Sequence, residues 1–115
     1  MLRRRPAREP EITIVGGLTI DRFANGTTAG GGSVLHASRG MALDGRSVAT
    51  VTMAGPEPEA RAAVRELASL GRVDAAPAGR TIAFGHDQLH PLRTLRLLVA
   101  GEVLLRPLRI PGPAA

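Results

Sequence analysis

Short apolar runs broken by glycine alternate along this chain with longer stretches whose apolar residues recur at helical spacing. Ile12, Ile14 and Val15 form the first run, which ends at Gly16-Gly17 and reads as a buried strand. Leu18, Ile20 and Phe23 then alternate in part with Thr19, Asp21 and Arg22, as in a second, more exposed strand, and Asn25-Gly26 signals a turn. After Gly30-Gly31-Gly32, Ser33 suits a helix N-cap. Val34, Ala37, Met41 and Ala42 share one helical face, and Gly45 suits the C′ position. Residues 47–53 are rich in β-branched side chains and read as a strand that Gly55-Pro56 breaks. Pro58 at N1, flanked by Glu57 and Glu59, opens a second helix. Its stripe is Ala60, Ala63, Val64, Leu67 and Ala68, and Gly71 ends it. Residues 73–79 read as a loop, and residues 80–84 and 94–99 as strands joined by a His/Asp/Pro connection. The order βαβα, then further strands, predicts an α/β domain with a parallel sheet. There is no internal repeat.

Residues 1–10 are basic, contain proline and lack an apolar period. They are expected to be a disordered tail or the product of a misplaced start codon, with a transit peptide and an anion-binding arm as alternatives. Residues 11–105 form the expected domain. Residues 106–115, with three prolines, are expected to fray.

Composition narrows the chemistry. The 115 residues suffice for one small domain. Phe23 and Phe84 are the only aromatic residues, so the core must be aliphatic and there are no platforms for base stacking. All 15 basic residues are Arg. Without Lys there is neither a Walker A loop nor Schiff-base chemistry. Without Cys there is no disulfide, thiolate nucleophile or Cys-based zinc site. Neither a membrane span nor a secretory h-region of the usual length is visible, and a cytoplasmic protein is expected.

Four groups of residues could carry chemistry. The glycine run at a strand-to-helix junction would let a ligand approach the backbone and the N–H groups of a helix start; a flexible loop reads equally well. It does not fit a dinucleotide fingerprint, because no G-x-G-x-x-G opens a helix directly after the first strand. Asp21 could accept hydrogen bonds from ligand hydroxyls, or be a surface aspartate. His86 and His90 flank Asp87-Gln88-Leu89 at the i, i+4 spacing that grips zinc on a helix, but Gly85 and Pro91 favour a solvated turn between strands. Arg93, Arg96, Arg106 and Arg109 read as a solvated face rather than a phosphate site.

The order of these parts resembles the N-terminal portion of the PfkB-family (ribokinase-like) carbohydrate kinases. The segments that carry it are Gly16-Gly17-Leu18-Thr19-Ile20-Asp21, Gly31-Gly32-Ser33 and Val51-Thr52-Met53-Ala54-Gly55-Pro56-Glu57. The resemblance implies a partial ribokinase-like fold: a mostly parallel sheet flanked by helices, with lid-type strands. It makes Asp21, Gly31 and Gly32 sugar contacts, and Thr81 the residue that opens a lid or substrate-side strand. His36 stands where the family has a sugar-touching Asn, and Thr19 where ribokinases often have Asn. Glu57 replaces the usual Asp, and Asp44 a usual Leu. The family's Gly-Ala-Gly-Asp-type segment, with its catalytic Asp and most of its ATP pocket, has no counterpart in residues 60–115.

The leading expectation is therefore the substrate side of an ATP-dependent sugar kinase, inactive by itself and marginally stable. ATP and Mg²⁺ belong to the full-length family, and no cofactor is expected on this chain. The partners implied are a sugar or related polyol and, through the lid strands, a second copy of the chain. The alternative is a non-enzymatic polyol-binding or dimerisation domain. Nucleic-acid binding rests only on the net charge of +5 and the Arg-rich tail, and the dispersed arginines count against it.

Overall fold

The computed structural model describes residues 10–89 and 92–100. The two expected tails, His90, Arg106 and Arg109 lie outside the described residues, as do the side chains of Arg93 and Arg96.

Among the described residues, seven strands and two helices follow in the order β1 (Ile12–Val15), β2 (Thr19–Phe23), β3 (Thr28–Gly31), α1 (Ser33–Leu43), β4 (Val48–Ala54), α2 (Pro58–Leu70), β5 (Gly71–Pro77), β6 (Ile82–Leu89) and β7 (Leu92–Val99). They build two sheets. The first has the order β1-β4-β5 and is parallel throughout. The second has the order β3-β2-β6-β7, with β2 and β6 parallel and the outer pairs antiparallel. This is the expected α/β arrangement, a parallel sheet with two helices and additional strands.

The chain leaves the first sheet after Val15 and enters the second at Thr19. Leu18, between them, points into the core with Val34 and Leu35 of α1 and Ala63 and Leu67 of α2. Ile14 and Val73 of the parallel sheet pack on the same cluster. Burying one such Leu is worth about 1.5–3 kcal/mol. The exposed Arg39–Glu66 pair, which joins α1 to α2 with a second contact of 2.8 Å from Arg39 Nη2 to Glu66 Oε1, is worth about 0–1 kcal/mol. Apolar burial, not that ion pair, holds the helices together.

Several local expectations need correction. Residues 73–79 are mostly not a loop: Gly71–Pro77 is β5, paired along its whole length with β4. Alanine, Asp and Pro give it a poor intrinsic strand signal, and pairing with a buried neighbour overrides that. The glycine run is partly strand, since Thr28–Gly31 is β3, the edge partner of β2. β6 continues past Phe84 to Leu89, so His86 lies in a strand rather than a turn. A helical zinc grip by His86 is thereby excluded. On α1 the buried face is Val34, Leu35 and Ser38, while Ala37 is exposed. Ser38 escaped the apolar pattern because it is polar; its hydroxyl lies 3.3 Å from that of Thr50. Gly32 is the N-cap and Ser33 begins the helix. The C-terminus follows expectation: Arg46 N–H bonds to Met41 O and Gly45 N–H to Ala42 O, the Schellman pair.

One polar ring ties the parallel sheet to the second sheet. Glu57, the N-cap residue of α2, accepts the Thr81 N–H at Oε2 and the Thr81 hydroxyl at Oε1, both at 2.8 Å. The same hydroxyl accepts the Gly55 N–H at 2.8 Å. Partial burial opposes the charge on Glu57, but the bonds from Thr81 and its own backbone, with the positive charge of Arg22, outweigh it. They hold the carboxyl below its usual range. A depressed folded pKa gives stability that is present above the unfolded value and lost as pH falls through the folded one. Glu57→Gln is therefore expected to lower the melting temperature at pH 7, by a destabilisation of about 1 kcal/mol, with the difference from the parent chain shrinking below about pH 4. Thermal melts of the two chains from pH 3 to pH 7 check this.

Candidate functional site

Strand alternation decides which side chains share the open face of the second sheet. Thr19, Asp21 and Phe23 lie on one side of β2, and Ile20 on the other. Pairing with β3 sets Gly31 opposite Thr19. Pairing with β6 sets Phe84 opposite Asp21 and His86 opposite Phe23. The reverse face carries Ile20, Gly30 and Ala83 toward the helices. Ile20 and Ala83 are each 1% exposed.

Asp21 is the centre of the front face. Its side chain is 19% exposed. Oδ1 accepts the Thr19 hydroxyl at 3.3 Å and lies 3.1 Å from His86 Nε2. His86 is buried and stacks on Phe23, with ring centroids 5.0 Å apart and planes at 28°. Oδ2 lies over Gly31, in the space that a Cβ there would need; such a Cβ would also lie 2.9 Å from Thr19 Oγ1. Gly32 follows at φ 97°, a conformation that suits glycine, and a Cβ on it would meet the carbonyl of Gly17. α1 starts directly after it.

The structure thus brings Asp21, Gly31 and Gly32 together. His36 lies one turn along α1, with its backbone N–H bonded to Gly32 O at 3.3 Å. The His36 side chain is exposed on α1, and its charge acts on Glu66 of α2. The hydrogen bond from Arg39 is the main cause of a lowered Glu66 pKa; burial opposes it, and the charges of Arg39 and His36 add to it. Reasoning from sequence missed His86 as a neighbour of Asp21. Alternation of Ile82, Phe84 and His86 across Ala83 and Gly85 was the available signal, and Gly85 obscured it by imitating a strand end.

Chemically, the site is a carboxylate with one oxygen engaged inside the sheet and the other aimed at backbone that carries no side chain. Next to it is a helix start, which favours hydroxyl or anionic groups of a ligand. A separate groove of about 210 Å³ lies behind β3, lined by Gly30, Leu35, Arg39, Glu59, Ala63 and Glu66. Gly30 of the glycine run lines it, whereas Asp21, Gly31, Gly32 and His36 do not. Among the described residues no cluster of three His, Asp or Glu could hold a metal ion, and no helix is long and apolar enough to cross a membrane.

No family model and no curated protein matches the sequence. Solved structures do match the fold. The fructokinase from Xylella fastidiosa superposes with a TM-score of 0.70 at 18% identity, over 84% of this chain and 35% of that one. The Xylella fastidiosa fructokinase with bound ATP gives 0.69 at 19% identity, over 84% of this chain and 36% of that one. The chain has part of the ribokinase-like sugar-kinase fold. A PfkB protein from Polaromonas sp. JS666 matches at 0.64 and 13% identity, over 76% and 35%. An uncharacterized sugar kinase from Pyrococcus horikoshii in complex with ATP matches at 0.67 and 14%, over 78% and 34%. The chain therefore spans about a third of the length of the sugar kinases that share its fold.

The contact between Asp21 and the Gly31 backbone makes a double-mutant test direct. Gly31→Ala is expected to destabilise the chain by about 1–3 kcal/mol, because the new methyl group displaces the carboxylate. In an Asp21→Ala background the same substitution is expected to cost at least about 0.5 kcal/mol less. Urea unfolding of the four chains measures the coupling, and additive costs would show that the two residues do not meet.

Proposed function

We propose that this chain is the sugar-binding side of a ribokinase-like kinase. The observation that carries the reading is Asp21 Oδ2 set over the bare backbone of Gly31, one residue before the N-cap of α1. A sugar hydroxyl placed there donates to the carboxylate, and Gly31 and Gly32 let the ring come close. The assignment of His36 to the sugar rests on its sequence position alone, and its exposed side chain favours a place at the rim. The phosphoryl transfer of the whole sugar kinase needs a base on the sugar hydroxyl and a nucleotide site. No segment of this sequence matches the family's Gly-Ala-Gly-Asp pattern, which supports binding without turnover by this chain.

Binding of D-fructose and a panel of other sugars to the purified chain, followed by titration calorimetry and ligand-observed NMR, tests this. Hydrogen bonds to a charged group are worth about 1.5–3 kcal/mol, so Asp21→Ala is expected to weaken binding by about 10- to 150-fold. His36→Ala is expected to change it by less than about threefold. No ATP turnover is expected with any sugar. Turnover by the purified chain would show that it holds the base that the reading omits. Absence of binding across the panel would sink the sugar reading.

A second reading, association through the lid sheet, has its own support. Leu97 and Leu98 of β7 are 58% and 46% exposed, and among the described residues β7 pairs only with β6. An apolar strand at a sheet edge is a template for pairing with another chain. If the chain is a dimer through this edge, Leu97→Arg should convert it to a monomer in light scattering after size exclusion. An unchanged mass would remove β7 from the interface.

A further inference from the structure

We propose that His86 is a positioning residue for Asp21: it holds Oδ1 inside the sheet so that Oδ2 is presented to a ligand hydroxyl over Gly31. This rests on the sugar-binding reading for the ligand, but not for the pairing of the two side chains.

The argument starts from register. Asp21 sits opposite Phe84, and His86 sits opposite Phe23, so the two are diagonal neighbours across β2 and β6. Diagonal pairs are within reach only of long or aromatic side chains. Phe23 closes the direct path in front of His86: its ring stacks on the imidazole at 5.0 Å. The imidazole then lies with its Nε2 edge 3.1 Å from Asp21 Oδ1. Thr19 reaches the same oxygen at 3.3 Å. Both contacts fall on Oδ1, and Oδ2 alone faces the glycine backbone.

This asymmetry gives the histidine a task. A carboxylate on a strand is free to rotate about its terminal bond, which is broad and roughly two-fold. Thr19 alone, at 3.3 Å, is a weak restraint. The buried imidazole edge, 3.1 Å from Oδ1, restricts that rotation, so the ligand does not have to order the acceptor on binding. The buried Nε2 meets the carboxylate as a close polar contact at 3.1 Å rather than through an aligned hydrogen bond. His86 is therefore the outer support of the acceptor: it touches the carboxylate, and the ligand meets the other oxygen.

Two measurements on the full chain test the proposal. The first needs no ligand. Two-bond 1H–15N correlation spectra at pH 8.5 are expected to show the Nε2–H tautomer of His86 in the parent chain and its loss in Asp21→Ala. An Nδ1–H tautomer in the parent chain would overturn the proposal. The second uses D-fructose as the probe. His86→Phe keeps the stack on Phe23 and removes the donor, and is expected to weaken binding about tenfold. His86→Gln keeps a donor near the Nε2 position and is expected to restore binding to within about threefold of the parent. Parent-like binding by His86→Phe, with a parent-like thermal transition, would overturn the proposal, as would equal losses in Phe and Gln variants that both fold. If His86→Phe does not fold, the tautomer and the His86→Gln titration decide. If the parent chain binds no sugar while the Nε2–H tautomer depends on Asp21, the sugar reading fails and the pairing stands.

Discussion

The approach of β3 to α2 sets the geometry of the rest of the molecule. A Cβ on Gly30 would lie 3.0 Å from the Cβ of Ala63, so the edge of the second sheet comes as near to the helix as two small residues allow. That closeness puts the reverse face of β2 and β3 onto the same aliphatic core that the parallel sheet uses. Leu18, Val34, Leu35, Ala63 and Leu67 then serve both sheets at once. With only two aromatic residues in the chain, neither sheet has bulk enough for a core of its own, and sharing one is the economical arrangement.

The front face of the second sheet inherits its character from this packing. Residues that alternate with Ile20 must face away from the core, and they are Thr19, Asp21 and Phe23. The carboxylate is thus placed by the burial of its neighbour, not by any contact of its own. What it can do there is set by the parts around it. Thr19 and His86 occupy one oxygen, and Gly31 leaves room beside the other. The polar ring of Glu57, Thr81 and Gly55 fixes where β6 begins, and through it how far along β2 the imidazole of His86 comes to lie.

The likeness to sugar kinases is a likeness of fold. It extends over more than three quarters of this chain and about a third of theirs, at identities of 13–19%. At that level the backbone is informative and the side chains must be argued one by one. Asp21 lies against the backbone of Gly31, and Gly32 follows it at the start of α1. His36 reaches Gly32 through its backbone N–H, and its side chain is exposed. Its place on the exposed side of α1 follows from Val34, Leu35 and Ser38 taking the buried side.

Local pattern in the sequence was enough for β1, β2, β4, the hairpin turn at Asn25-Gly26 and α2 with its buried Ala60, Ala63 and Leu67. These elements have strong periodicity, clear breakers, or both, and their neighbours do not have to decide for them. Family order singles out Asp21, Gly31 at the end of β3 and Gly32 directly after it. Other features were settled only by tertiary structure. β3 and β5 are poor strands by composition, rich in Gly, Ala, Asp and Pro, and exist because a stronger strand lies alongside each. α1 buries Ser38 because Thr50 waits opposite it. The partnership of Asp21 with His86 spans 65 positions of sequence; it follows from β6 running parallel to β2 in one register, and a one-residue slip would turn His86 to the other face. A property of register is invisible in either strand alone, which is why the residue that completes the site was the one the sequence left in a turn.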